Sequence, residues 1–231
     1  MEYIILAIIL VIVIILSKFI FRVNFKVLKG LEKNEKLEKI TDKFPSNVQI
    51  AEEILDILDC NFKRPKIEEA KNTKTSLYIW VTNKIVISDM KNNYARIQTI
   101  SHECVHSCQD KRLLGFNFFL SNINIIVLLA FIVLTLLKII DVSMFYVAII
   151  LVLGILQFSI RGFLEIDAMT KARYLAEDYI NSKKIITKKE KEKLLTEYDK
   201  INKKGIPFVV DNLFAAAVFK TLIFVAIGIF L

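Results

Sequence analysis

The chain has 231 residues, of which 55% are hydrophobic and 24% are charged, and its formal net charge is +8. So high an apolar fraction excludes an ordinary soluble domain if the apolar residues are gathered into long runs. Four such runs are present: Tyr3–Ser17, Phe118–Leu137, Val142–Ile160 and Phe208–Leu231. Because about 18 consecutive apolar residues cross the hydrocarbon layer as a helix, the sequence predicts a mostly α-helical membrane protein with about four spans.

The positive charge does not indicate a nucleic-acid partner. The lysines are scattered among glutamates and are not interleaved with aromatic residues on one patch. Basic residues instead flank the apolar runs, with Lys18 and Arg22 after the first run and Arg112 and Arg161 around the central pair. This positive-inside pattern predicts a multi-pass protein of the cell membrane, surrounded by lipid, with both charged segments in the cytoplasm.

The first and last runs each carry a feature that needs an explanation. The first is preceded by Glu2, where a signal peptide has basic residues, and no small-residue cleavage site follows, so we expect an anchoring helix. The last contains Asp211 and Lys220, which are costly inside a membrane. We expect these charges to be paired across a helix interface, and a transporter or channel that uses them is an alternative.

The runs divide the chain into five segments. We expect an N-terminal transmembrane helix over residues 1–22, a cytoplasmic α+β segment over 23–115 and a transmembrane hairpin over 116–160. A second cytoplasmic segment, which is helical, covers 161–206 and leads to a C-terminal transmembrane helix over 207–231. The expected fold class is thus a transmembrane helical protein with a small α+β part.

Local patterns predict the elements of the charged segments. Ser46 is a plausible N-cap of a helix, and Ser76–Ser88 is rich in β-branched and aromatic residues, with a hairpin turn at Thr82–Lys84. A helix is expected over Ala95–Leu114. The lysine- and glutamate-rich stretch Lys183–Lys204 predicts a helix with a solvated face.

Both histidines of the chain lie in one short motif, ISHECVHSCQ. Positions i and i+4 share one helix face, so His102 and His106 can bind a single zinc ion. Glu103 lies beside that face, where it can take a proton from zinc-bound water as the water attacks a carbonyl. The motif predicts a zinc site with Glu103 as its catalytic base, and a structural helix with two incidental histidines is the alternative.

Two histidines leave the coordination incomplete, and the chain has no third. The motif helix precedes the second run and Glu165 follows the third, so a helical hairpin would return Glu165 to the membrane face that carries His106. Glu165 is the expected third ligand, and an interfacial carboxylate paired with Arg161 is the alternative. Asp167 could hydrogen-bond a ligand imidazole, whereas Gln109 could orient a ligand or substrate or lie on a polar surface.

The three cysteines, Cys60, Cys104 and Cys108, show no spacing typical of a disulfide framework. Free thiols in a reducing compartment are the simplest expectation. Cys104 and Cys108 point away from the histidines on a helix, so we expect both to pack in the interior. The non-catalytic alternative, a closed structural or regulatory zinc site, would need Cys108 as its fourth ligand.

The motif HECVHSCQ, a membrane hairpin and a later EIDA together resemble the bacterial membrane neutral zinc metallopeptidases of the YugP type, which carry HExGHAxQ and E-x-D-A. The likeness covers nearly the whole chain, although Val105 stands where that family usually has glycine. It implies a zincin-like, gluzincin arrangement in which His102, His106 and Glu165 bind zinc and Glu103 is the base. The heat-shock membrane proteases, with HExxH and a later glutamate, are a wider relative.

The residues and the resemblance together predict a membrane-embedded zinc metalloendopeptidase that cleaves protein or peptide substrates beside the membrane surface. By the same resemblance, the strand before the motif would align an extended substrate. An oxyanion-stabilising side chain is expected from the helix after Glu165, with Arg173, Tyr174 and Tyr179 as candidates.

Overall fold

The computed structural model describes residues 1–23, 34–60, 63–70, 73, 75–90 and 93–230. Within them the protein is mostly helical and has one three-stranded sheet. The elements are α1 Glu2–Ile20, α2 Glu35–Thr41, α3 Asn47–Leu58, β1 Lys66–Ala70, β2 Leu77–Ile79, β3 Lys84–Ser88, α4 Arg96–Cys108, α5 Lys111–Leu136, α6 Met144–Lys183 and α7 Lys188–Phe230. The predicted class, mostly helical with a small sheet, is confirmed at this level.

Four of the described helices, α1, α5, α6 and α7, are long and apolar enough to cross a membrane. Many of their large apolar side chains are exposed, as a hydrocarbon surrounding would allow; Ile8 and Leu129 are examples. Helices α6 and α7 are 40 and 43 residues long, and each contains both an apolar and a charged stretch, in opposite order along the chain. These helices agree with the four apolar runs and are compatible with a membrane protein.

The chain forms two compact units. The first, here called the apolar unit, contains Met1–Val23, Arg112–Phe163 and Pro207–Leu231. The second, here called the sheet unit, contains Asn24–Lys111 and Leu164–Ile206. Each unit has its own buried cluster of apolar side chains.

The two charged residues of the last apolar stretch have different partners in the apolar unit. Asp211 is fully buried, accepts a hydrogen bond from Ser17 Oγ at 2.6 Å and pairs with Lys18 Nζ at 3.3 Å. Lys220 Nζ instead donates to Gln157 Oε1 at 3.0 Å. Charge pairing across a helix interface is therefore confirmed for Asp211, whereas Lys220 has no charged partner within salt-bridge distance among the described residues.

The sheet of the sheet unit has the strand order β1-β3-β2. Strands β2 and β3 are antiparallel and joined by a tight turn in which Asn83 has a left-handed backbone, with φ of 47°, so the predicted hairpin is confirmed. Strand β1 runs parallel to β3, with Lys66 opposite Lys84. The sequence KIEEA of β1 has too few apolar residues to show a strand period, so this strand was not predicted.

Helices α3 and α4 provide the core that packs with the sheet. The fully buried side chains include Ile50 and Ile54 from α3 and Ile85 and Ile87 from β3. Ser46 caps α3 by accepting a hydrogen bond from the backbone N–H of Gln49, as predicted.

The lysine-rich stretch at the start of α7 has a buried face as well as a solvated one. Leu194 and Tyr198 are fully buried, and the Tyr198 hydroxyl donates to the carbonyl oxygen of Tyr94 at 2.9 Å. The prediction of a merely solvated helix was incomplete, because its few apolar residues recur on one face among many charged ones.

Candidate metal centre

Helix α4, which carries both histidines, is held in place by its inner face and its N-terminus. Ile97, Ile100 and Cys104 on that face are completely buried, which confirms the packing role expected for Cys104. Burial also raises the pKa of the Cys104 thiol. The guanidinium of Arg96, at the first turn, donates to three backbone carbonyls and to the Asn47 side chain.

The three expected ligands converge in the sheet unit. His106 Nε2 lies 3.0 Å from His102 Nε2, and Glu165 Oε2 lies 3.4 Å from His102 Nε2 and 3.5 Å from His106 Nε2. Three donors bound at about 2.0–2.1 Å in a tetrahedral site would be about 3.3 Å apart. This group could therefore hold a metal ion without large movement of its side chains.

The side chains of the three expected ligands are partly exposed to solvent. Their exposed fractions are 20% for His102, 13% for His106 and 19% for Glu165. A closed structural site has four protein ligands, whereas a catalytic site keeps a position open to water or substrate. Among the described residues, the group that could hold a metal ion consists of these three partly exposed side chains.

The charges of the cluster are matched to a cation. Burial opposes ionisation of Glu165, but hydrogen bonds from His102 and His106 outweigh it and hold the pKa of Glu165 far below its usual range. Burial likewise disfavours the charged imidazole of His106, yet the hydrogen bond and charge of Glu165 raise its pKa. A carboxylate that stabilises positive charge on the His106 imidazole would stabilise a bound cation in the same place.

Gln109 takes the first of the two roles left open for it, because it contacts a ligand imidazole. Helix α4 ends at Cys108, and Gln109 has an extended backbone, so the predicted helix over Ala95–Leu114 is wrong at its C-terminal end. The break turns the Gln109 side chain back to His106, where its Oε1 lies 2.8 Å from Nδ1. Only 7% of Gln109 is exposed, so the alternative of a polar surface role is wrong.

Asp167 completes this contact. Gln109 Nε2 donates to the carbonyl oxygen of Leu164 at 2.8 Å and to Asp167 Oδ2 at 2.9 Å. Since both acceptors require the NH₂ group, Oε1 faces His106, whose Nδ1 must then carry the proton and leave Nε2 free for a metal. Asp167 therefore acts on the imidazole through Gln109, whereas we had expected a direct hydrogen bond.

Glu103 is buried beside the ligands. Only 6% of the residue is exposed, and its carboxylate accepts a hydrogen bond from the backbone N–H of Tyr78 on β2. Burial raises the pKa of Glu103, and the opposing influence of His102 and His106 does not cancel this. A carboxyl group with a raised pKa is a better proton acceptor near neutral pH than an ordinary one.

The structure does not bring the candidate oxyanion-stabilising residues to the ligands. Arg173 and Tyr174 follow Glu165 by more than two helical turns, which is about 12 Å along the axis. The guanidinium of Arg173 is paired with Asp199 and Glu177, and Tyr174 is 65% exposed.

The third candidate, Tyr179, lies still farther along the same helix. Its hydroxyl donates to Glu53 Oε2 on α3 at 2.9 Å, inside the core of the sheet unit. Its contacts are those of a core residue, at a distance from the histidines.

A disulfide joins Cys60 to Cys108, with 5.8 Å between the Cα atoms. The expectation of three free thiols is therefore wrong for these two residues, and Cys104 is the free cysteine. The two cysteines are 48 positions apart, and no local pattern of the sequence indicates their pairing. Cys108 is not a member of the group that could hold a metal ion, so the described structure does not supply the fourth ligand that a closed structural site would need.

No protein-family model matches the chain, and no curated protein or solved structure is significantly similar to it. The resemblance to membrane zinc metallopeptidases thus stays a prediction carried by the motifs quoted above.

Proposed function

We propose that this protein is a multi-pass membrane zinc metallopeptidase whose metal is held by His102, His106 and Glu165. The observation that supports the proposal is the spacing of the three donor atoms, which lie 3.0–3.5 Å apart and interact electrostatically with the buried carboxyl group of Glu103. Two imidazoles and one carboxylate match the donor set of catalytic zinc sites. A zinc ion in this position would polarise a peptide carbonyl and lower the pKa of a bound water.

The chain's own residues then supply three functions. Glu103 accepts the proton of the attacking water and later returns it to the leaving amine. Asp167 and Gln109 hold His106 in the tautomer that presents Nε2. The partial exposure of the ligand side chains gives a substrate access to them.

Strand β2 supports a peptide as the substrate class. It is an edge strand of the described sheet, and the backbone N–H of its Tyr78 donates to Glu103. An extended peptide that added to such an edge would bring its backbone carbonyls close to the proposed base.

The membrane side of the sheet unit is also a proposal. Basic residues next to the apolar stretches support the cytoplasm, whereas a disulfide is more typical of an oxidising compartment. We propose the cytoplasmic side, because the charge pattern involves every connection between spans, and expect the disulfide to be reduced in cells.

The test combines metal content with activity. Purified protein should contain about one zinc per chain and cleave unfolded casein, and Glu103→Gln should keep the zinc and lose the cleavage. Glu52→Gln, an exposed acid of α3, is the matched control and should change neither. Absence of stoichiometric zinc, or full activity of Glu103→Gln, contradicts the proposal.

A further inference from the structure

A polar cluster lies among the apolar helices of the apolar unit. Lys220 Nζ and Asn124 Nδ2 both donate to Gln157 Oε1, at 3.0 and 2.9 Å, and Gln157 Nε2 donates to Ser121 Oγ at 2.8 Å. We call these four residues, contributed by α5, α6 and α7, the Lys220 cluster. None of them belongs to the candidate metal centre.

The position of the Lys220 cluster along α7 can be estimated from two contacts that this helix makes near the ends of the apolar unit. Asp211 meets Ser17, near the end of α1, and Gly228 packs on Val142 so closely that a Cβ there would lie 2.9 Å from its side chain. Lys220 is nine residues after the first and eight before the second, which places it about 12–13 Å from either level. In a unit that spans a membrane, as proposed above, Lys220 would lie near the bilayer centre.

The ammonium group of Lys220 has no carboxylate partner among the described residues. Among the residues that the structure describes, no carboxylate lies within salt-bridge distance of its Nζ, whose hydrogen-bond acceptor is the neutral amide of Gln157. Asp211, the acid of the same helix, is paired with Lys18. An ammonium group at this depth is costly unless a partner compensates its charge.

Asn124 has an unsatisfied atom in the same cluster. Because Lys220 can only donate, Gln157 must present Oε1 to it, and Asn124 must then present its NH₂ group to that oxygen. This orientation leaves Asn124 Oδ1 without a hydrogen-bond partner, although the residue is only 1% exposed. Buried polar atoms are rarely left in that state. Oδ1 only accepts hydrogen bonds, so the capacity of the cluster for an acidic ligand lies on Lys220 Nζ, which has three N–H groups and donates one of them to Gln157 among the described residues.

We propose that Lys220 binds the carboxylate of a partner transmembrane helix, one that carries an aspartate or glutamate near its middle. Lys220 is partly exposed, and its neighbours Phe219 and Ile223 are 53% and 37% exposed. The partner is thus apolar around a single central acid, and a buried charge-assisted hydrogen bond supplies its specificity. This inference rests on the proposed membrane embedding and is independent of the proposed peptidase activity.

Two other sources of a carboxylate or phosphate fit less well. A second copy of this chain offers only Glu2 and Asp141, at the ends of its apolar stretches, and Asp211, which is already paired and buried. The phosphate of a lipid headgroup lies at the surface, about half a hydrocarbon layer from the bilayer centre.

The test uses designed peptides in lipid vesicles that contain the full-length protein. Each peptide is a polyleucine helix of about 21 residues with either Glu or Gln at its centre, and energy transfer to the labelled protein measures binding. The Glu peptide should bind at least about tenfold more tightly than the Gln peptide. Equal binding by the unaltered protein overturns the proposal, and this comparison needs no variant.

Variants then assign the preference to Lys220. Lys220→Met should abolish it, Lys220→Arg should keep it, and Lys138→Met, outside the cluster, is the control that should keep it. A preference that survives in Lys220→Met, or displacement of the Glu peptide by oleate at equal carboxylate concentration, overturns a helix partner. Repeating the assay on Glu103→Gln and on zinc-free protein separates this result from the peptidase proposal, while carbonate extraction tests the membrane embedding itself.

Discussion

Gln109 Oε1 accepts a hydrogen bond from His106 Nδ1 over 2.8 Å, and this contact decides which nitrogen of the imidazole is free for a metal. The glutamine is itself held by Leu164 and Asp167, two residues of the helix that carries Glu165. One side chain therefore couples the orientation of His106 to the helix that supplies the carboxylate ligand.

We predict that Gln109→Leu lowers zinc affinity about 10–100-fold, because the imidazole loses the acceptor that fixes its tautomer. Competition with a chromophoric chelator measures the affinity directly. Gln49→Leu, an exposed glutamine of α3, is the matched control and should leave it unchanged. An unaltered affinity in Gln109→Leu would mean that the contact does not orient the ligand.

The thiols give a second prediction. Cys104 is the free cysteine and is completely buried, so maleimide should label no thiol in the folded, oxidised protein and one after denaturation. Reduction followed by denaturation should make all three thiols available to maleimide. Because the bond spans 48 residues, its loss should lower the free energy of unfolding by about 4 kcal/mol. As a control, the denatured, oxidised Cys108→Ser variant should have two labelled thiols, Cys104 and the released Cys60.

The state of the same thiols in cells tests the proposed side of the membrane. If the sheet unit is cytoplasmic, acid quenching followed by maleimide trapping should find Cys60 and Cys108 reduced in growing cells. A membrane-impermeant maleimide added to intact cells should then fail to reach either residue. If Cys60 and Cys108 are instead joined by a disulfide in growing cells, the sheet unit lies on the non-cytoplasmic side of the membrane.

Much of the metal centre was predictable from the sequence, because its parts follow simple rules. His102 and His106 are one helical turn apart, and the return of Glu165 depends only on the number of apolar runs between it and the motif. The sequence left two roles open for Gln109, the orientation of a ligand or substrate and a position on a polar surface. The choice between them depends on the acceptors that α6 supplies to its NH₂ group, which the pattern of the motif helix cannot show.

Other misses arise from long-range contacts. Cys60 and Cys108 are brought together by the packing of α3 on α4, which no local pattern encodes. Strand β1 is defined by its pairing with β3, since its own sequence is mostly charged. Arg96 also gave no signal in the sequence, because a buried arginine cannot be distinguished from an exposed one until its acceptors are known.

Arg96 is expected to be essential for the stability of the sheet unit. Arg96→Met would leave four buried or partly buried acceptors without a donor, and should lower the free energy of unfolding by about 3 kcal/mol or more. Arg64→Met, which removes an exposed pair with Asp56, should cost less than about 1 kcal/mol. Thermal or denaturant unfolding in detergent compares the two, and equal losses would contradict a special role for Arg96.

The decrease in folding stability at acid pH should depend on Glu53, a residue of α3 that contacts α6. Burial opposes its ionisation, but hydrogen bonds from Lys183 and Tyr179 outweigh it and lower the pKa of Glu53 below 4.5. A carboxyl group whose pKa is lowered on folding stabilises the folded state above its unfolded pKa, and this contribution is lost as the pH falls through the folded value. Glu53→Gln should therefore reduce stability at neutral pH and flatten its decline below about pH 4.5, as measured by melting temperature against pH. Glu52→Gln, at the exposed neighbouring position, should retain the decrease in melting temperature at acid pH. If Glu53→Gln shows the same decrease as the unaltered protein, the pair of Glu53 with Lys183 contributes nothing to it.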